Sequence, residues 1–185
     1  MPKASFAELI STHTLHMVFD ESDGPISSRD LTLFLYYYRA LYVTLAPNPE
    51  VTAERFLKSP DYYIETAKIF LQREFQTEKD VYNNVDLDCG DGDLMVLAIS
   101  KHSPLEIVVT GITVALVVAV ILSGGQIKLP GVQAKLPPLG KGIQELRKAF
   151  GLDKERSSTR RKNGQENLPD IHRFARVIAY VFFAE

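Results

Sequence analysis

Cysteine and tryptophan are almost missing from this chain, which has one cysteine and no tryptophan in 185 residues. The lone Cys89 cannot build an intramolecular disulfide framework, and this points to a main domain kept in a reducing compartment. Nor is there an excess of either charge: 21 Lys and Arg stand against 23 Asp and Glu, for a formal net charge of −2. That balance excludes a strongly basic nucleic-acid binder. Together with 45% hydrophobic residues it also excludes a wholly disordered or collagen-like chain. The first ten residues lack the basic start and continuous apolar core of a cleavable secretory signal, because Lys3 and Glu8 stand among scattered apolar residues. A membrane location is therefore expected only through an internal segment. The most informative absence is local: no residue between Glu106 and Lys128 carries a charge, and 107–122 is Val, Ile, Leu and Ala interrupted by Thr110, Gly111 and Thr113.

What is present reads as an α+β chain. Residues 12–21 alternate, with Leu15, Met17 and Phe19 on one face and Thr14, His16, Val18 and Asp20 on the other, as in a half-buried strand. Ser22-Asp23-Gly24-Pro25 is a turn, and Ser27-Ser28-Arg29-Asp30 a helix start. Leu31, Phe34, Leu35, Tyr38, Leu41, Tyr42 and Leu45 then recur at helical spacing until Pro47 and Pro49. A short helix at 50–58 and a firmer one at 61–75 follow, the latter behind Ser59-Pro60. A hairpin is expected next, with arms 81–88 and 94–100 around Cys89-Gly90-Asp91-Gly92. Ser103-Pro104-Leu105-Glu106 reads as a capped start for one long helix over 104–122, ended by Ser123-Gly124-Gly125. Beyond it come a small hairpin around Pro130-Gly131, an amphipathic helix with Ile143, Leu146, Ala149 and Phe150 on one stripe, a polar basic linker, and a helix over 170–184. The expected division is an α/β sensing or interaction domain at 1–102, the apolar helix at 103–125, hairpin and amphipathic helix at 126–151, linker at 152–168, and closing helix at 169–185.

At about 1.5 Å per residue the 104–122 helix approaches the ~30 Å thickness of a bilayer core, so it is expected to span a membrane. Gly111, Ala115, Ala119 and Ser123 recur every fourth residue and form a stripe of small side chains through which such helices approach closely, giving a homo-oligomer. Lys128, Lys135 and Lys141 would place the far side of the helix in the cytoplasm. The cost of moving some hundred folded residues across a membrane favours the opposite, a cytoplasmic N-terminal domain. The competing reading keeps the segment as a central helix, apolar all round because other elements cover it.

Constellations for chemistry are sparse. His13 and His16 lie on opposite faces of a strand and do not share a metal easily. The acidic stretch 86–93 has no register with both the glycine and the glutamate of a calcium loop. Cys89 has acidic neighbours where a thiolate needs positive charge. Gly140-Lys141-Gly142 precedes a helix without completing a P-loop. No catalytic residue, cofactor or metal site is assigned. Arg160, Arg161 and Lys162 are candidates for anion or lipid contact.

Asp23-Gly24-Pro25, the aromatic helix after it, and a strand leading into Ser103-Pro104-Leu105-Glu106-Ile107 resemble uncharacterised bacterial proteins in which a small α/β domain is fused to a membrane segment. Comparable architectures act as membrane effectors in bacterial conflict and antiphage systems. The resemblance spans residues 15–122 and carries over no catalytic residue. It implies a non-enzymatic, self-associating bacterial inner-membrane protein that perturbs the bilayer or forms a pore, with lipid, copies of itself and a protein bound by the N-terminal domain as partners, and no specific nucleic acid. The alternative is a soluble oligomeric interaction or scaffold domain, cytoplasmic, with the apolar helix buried in its core or interface.

Overall fold

The computed structural model describes residues 5–20, 26–85, 93–100, 104–128 and 133–152. The expected linker beyond 152, the closing helix, Arg160, Arg161, Lys162, Cys89 and the acidic turn at 86–92 lie outside the described residues.

Five strands form one mixed sheet in the order β2-β3-β1-β5-β4. The alternating segment is β1 (Thr12–Phe19), and its burial follows the expected alternation, with Leu15, Met17 and Phe19 at 2% exposure or less. β1 pairs antiparallel with β3 (Glu106–Ile112) and parallel with β5 (Gln133–Leu136). β4 (Gln126–Lys128) closes one edge as the antiparallel partner of β5, as the short hairpin predicts, and β2 (Met95–Ser100) is the other edge. Ile107, Val109, Ala134 and Leu136 join Leu15, Met17 and Phe19 in a single buried cluster with helical residues. Thr14, His16, Glu106, Gln133 and Lys135, on the opposite face, are exposed.

The helices supply the other layer. α1 (Phe6–Ile10) is a single capped turn ahead of β1. α2 (Ser28–Leu45) starts where Ser27 Oγ accepts from Arg29 N; Phe34, Tyr37, Tyr38, Leu41 and Tyr42 are buried along it. Phe34 meets Phe19 edge-on at 5.0 Å and stacks on Tyr38 at 5.6 Å. α3 (Pro49–Lys58) and α4 (Pro60–Glu74) have proline in their first turns, where the missing N–H costs nothing. α7 (Leu139–Ala149) buries Ile143, Leu146 and Ala149 and ends at Gly151, φ +71°.

Two expectations are corrected. The arm expected at 81–88 begins instead as helix α5 (Glu78–Val85). Its start is a reciprocal cap: Asp80 Oδ2 accepts from Thr77 N at 2.8 Å, and Thr77 Oγ1 accepts from Asp80 N at 3.2 Å. The real hairpin partner of β2 is β3, which lies in the segment expected to be helical.

The second correction concerns 104–122. Residues Glu106–Ile112 are strand, and only Thr113–Leu122 is helix, α6. Ten residues span about 15 Å, half a bilayer core. Among the described residues no helix is long and apolar enough to cross a membrane. Side-chain shape does not set the division, because α6 is itself β-branched at Thr113, Val114, Val117, Val118, Val120 and Ile121; Glu106–Ile112 is strand where it pairs on both sides, with β1 and with β2. α6 buries eight of its ten residues, because it packs against sheet and helices alike. Its end is a Schellman motif, as the glycine pair predicts: Gly125 N donates to Val120 O, Gly124 N to Ile121 O, and Gly124 takes φ +78°.

Two phenols one turn apart on α2 hold this segment. Tyr42 Oη accepts from Ile112 N at 2.9 Å, and Tyr38 Oη donates to Leu116 O at 3.3 Å. β3 is therefore a central strand and α6 an internal helix of the same body as β1 and α2. No boundary between 102 and 103 separates them.

Candidate functional site

Four places bear on function: the small-residue stripe, a polar cluster at the β3–α6 junction, the glycine-lysine start of α7, and the outer edge of β2.

The stripe is occupied by the chain's own side chains. Gly111 lies on β3 beneath the Tyr42 ring, and a Cβ there would stand 2.6 Å from the phenol oxygen. Ala115, Ala119 and Ser123 have no exposed surface, and Ser123 Oγ donates to Val120 O at 2.7 Å. None of the four presents a face to a second chain.

At the junction, His13 Nδ1 lies 2.8 Å from Thr113 Oγ1 and 3.1 Å from Ser11 Oγ. A histidine beside two hydroxyls invites comparison with a base and its nucleophile. Each hydroxyl also reaches a carbonyl: Thr113 Oγ1 stands 2.8 Å from Ser11 O, and Ser11 Oγ 2.9 Å from Glu8 O. With each single hydroxyl proton directed to its carbonyl, Nδ1 is the donor and the imidazole holds the hydroxyls as acceptors. The cluster ties α1, β1 and the start of α6 together. His16, on the other face of β1, is exposed and apart from it. Among the described residues no three His, Cys, Asp or Glu side chains converge as metal ligands.

Gly140-Lys141-Gly142 does not precede a helix as expected but lies within the first turn of α7. Lys141 N and Gly142 N both donate to Pro138 O, at 2.9 and 3.0 Å, and Gly142 is buried against Phe34, so two of the three amides are engaged within the chain.

The β2 edge differs from all of these. The strand is anchored at its start, where Leu94 is buried and Asp93 Oδ2 accepts from Arg39 Nη2 at 2.7 Å. From there it runs along β3 with Val96 opposite Val109 and Ile99 opposite Ile107, both partners fully buried. Yet Met95, Val96, Leu97 and Ile99 are 59, 44, 52 and 39% exposed. Among the described residues, helices cover β1 and β3 and leave β2 wet on both faces. No charged residue occurs from Leu94 to Ser100. The other edge, β4, is three residues long, Gln-Ile-Lys. Short length and an edge lysine are ordinary defences against unwanted strand pairing. β2 is twice as long, carries neither, and among the described residues its outer side meets no further strand of the sheet. Leu94–Ser100 reads from the sequence as an apolar strand; the signal that it is exposed lies only in its place at the end of the sheet.

Compared with family models, curated proteins and solved structures, the chain matches none.

Proposed function

We propose that this protein is a non-enzymatic interaction module that binds by strand pairing at the β2 edge. One observation carries the reading: a six-residue uncharged strand, apolar and exposed on both faces, that among the described residues is the last strand of the sheet. Exposed apolar surface of this kind marks interaction sites, and an added strand supplies backbone hydrogen bonds as well as apolar contact. The membrane-effector expectation depended on a continuous helix over 104–122. Its replacement by β3 and a ten-residue internal α6 favours the alternative, an interaction or scaffold domain with the apolar segment in its own core.

A photoreactive residue placed at Leu97 of the full chain, in the cells that make it, tests the reading. Light-dependent adducts are expected at Leu97 and not at Ile127 on the opposite edge, and substituting Val96 by Lys should abolish them. Equal adducts at the two edges, or none at Leu97, would remove β2 as the binding surface.

A further inference from the structure

If β2 is the interaction surface proposed above, its pairing to β3 bears on what occupies it, because that pairing assigns the faces of the strand. Val96 and Ile99 stand opposite Val109 and Ile107 on the helix side, whereas Met95, Ala98 and Ser100 stand opposite Thr110, Val108 and Glu106 on the other. Residues three apart on a regular strand point to opposite faces. The register shift between Val96 and Ala98 inserts one extra residue and brings Val96 and Ile99 to the same face.

That change of parity decides how β2 can meet a copy of itself. Residues directly opposite in an antiparallel pair share a face. With a twofold axis between Leu97 and Ala98, Met95 falls opposite Ser100 of the second copy, Val96 opposite Ile99, and Leu97 opposite Ala98, so that all six residues overlap. A regular six-residue strand in this register would set residues of one face against residues of the other. β2 does not: Val96 meets Ile99 on the helix side, and Met95 meets Ser100 on the opposite side. The uncharged stretch also brings no like charges together across the axis. A foreign strand would need apolar side chains on both faces, and a second copy supplies them by symmetry.

We infer that the partner of β2 is β2 of a second copy of this chain, paired antiparallel about a twofold axis between Leu97 and Ala98, so that two five-stranded sheets become one of ten. Six residues are few beside the roughly 20–30 a side of a standard interface. The dimer is accordingly a weak one that forms with concentration.

Sedimentation equilibrium of the full chain over a roughly hundredfold concentration range reads this directly. The dimer fraction should rise with concentration, and Leu97→Lys should remain monomeric at the highest concentration with an unchanged unfolding midpoint. The register is read separately in a Cys89→Ser background. Val96→Cys with Ile99→Cys should oxidise to a covalent dimer, since residues opposite each other lie within disulfide reach. Met95→Cys with Ile99→Cys, on opposite faces, should not. A dimer that ignores Leu97→Lys, or that cross-links as well through the Met95 and Ile99 pair, overturns the inference. So does a monomer at every concentration. In that last case a Leu97 photo-adduct carrying a different protein leaves β2 as a binding surface with another partner, whereas no adduct removes both readings.

Discussion

Substituting Gly111 by Ala separates the folded arrangement from the membrane expectation, because the two predict opposite results. In a stripe of small residues between transmembrane helices, Ala at this position is a conservative change. In the structure, a Cβ on Gly111 would stand 2.6 Å from Tyr42 Oη and 2.9 Å from each of two Tyr42 ring carbons. The ring has no free direction in which to yield: Tyr42 is fully buried, and its hydroxyl is held by Ile112 N at 2.9 Å. Ala in a strand recovers up to about 1 kcal/mol of the conformational entropy that Gly loses. Overpacking of a close-packed site costs about 1–3 kcal/mol, more when a hydrogen bond breaks with it. The cost wins, and a net loss of about 2 kcal/mol corresponds to a Tm lower by about 4–8 °C in a chain of this size.

Tyr42→Phe tests the same contact from the other side. It removes the hydroxyl and leaves Ile112 N–H without its partner, at a cost of about 1–3 kcal/mol. It also removes the nearest atom that the new Cβ meets while leaving the ring carbons at 2.9 Å. Gly111→Ala should therefore cost less in the Tyr42→Phe background than in the native one, with a coupling on the order of 1 kcal/mol. Urea unfolding of the four proteins, followed by circular dichroism, measures the cycle. A Gly111→Ala midpoint equal to or above the native one, or strict additivity of the two changes, would refute the placement of β3 under Tyr42.

Other consequences are as direct. Leu116→Ala in α6, where Leu116 is 1% exposed, should cost about 2–5 kcal/mol in urea unfolding; a loss below about 1 kcal/mol would contradict an internal α6. Burial raises the pKa of the Tyr37, Tyr38 and Tyr63 phenols above the usual tyrosine value, and the Tyr42 neighbour adds to this at Tyr38. Because the folded values lie above the unfolded one, the folded state loses stability as pH rises past about 10, where the unfolded phenols ionise more readily. Absorbance titration should therefore show the Tyr38 phenol ionising only with alkaline unfolding, whereas its ionisation near pH 10 in folded protein, read as a phenolate signal lost in Tyr38→Phe, would refute it. At the start of α5, hydrogen bonds from the Thr77 side chain and then its backbone hold the Asp80 carboxyl below its usual value. The cap is present above the unfolded pKa of about 3.9 and is lost as pH falls through the lower folded value. Amide exchange at Gln76 and Thr77 should accelerate in Asp80→Ala; unchanged rates would show that the carboxylate is not their acceptor.

Much of the secondary structure is legible because it is written in local periodicity. Leu15, Met17 and Phe19 at period two mark β1. The α2 stripe from Leu31 to Leu45 is bounded by Ser27 and Pro47, and the glycines after α6 and α7 mark real left-handed turns. The departures have their origin in long-range pairing in one case and in a missed cap in the other. Ser103-Pro104-Leu105-Glu106 has the residues of a helix start, but the run behind it pairs with β1 and β2, while the equally β-branched Thr113–Leu122 beyond it is helix. Thr77 and Asp80, three residues apart ahead of Val81, hold a helix start that the alternation expected at 81–88 obscures. An uncharged interval of membrane length also has two sources. Here a buried central strand and an internal helix adjoin without a loop, each apolar for its own reason, and their sum imitates a span.

The candidate site is less legible, for a reason that applies to any edge strand. Leu-Met-Val-Leu-Ala-Ile-Ser is apolar at successive positions, and such a run normally denotes a strand buried on both faces in the middle of a sheet. Whether it is central or terminal depends on how β1, β3 and β5 pair, and those contacts join residues far apart along the chain. Nothing within the run itself records that choice. The missing information is the sheet order: once β3 is flanked by β1 on one side, β2 becomes the last strand, and the apolar pattern that suggests burial instead marks surface that a partner can cover. The extra residue at Leu97 adds to this, since it keeps Val96 and Ile99 on one face and Met95 and Ser100 on the other although the members of each pair are an odd number of residues apart. Deleting Leu97 makes a regular five-residue strand in which a twofold axis through Ala98 still sets Val96 opposite Ile99 and Met95 opposite Ser100, so the dimer and the fold should both persist. Loss of the covalent dimer through Val96→Cys and Ile99→Cys in that deletion, with the fold intact, would refute the face assignment on which the pairing rests.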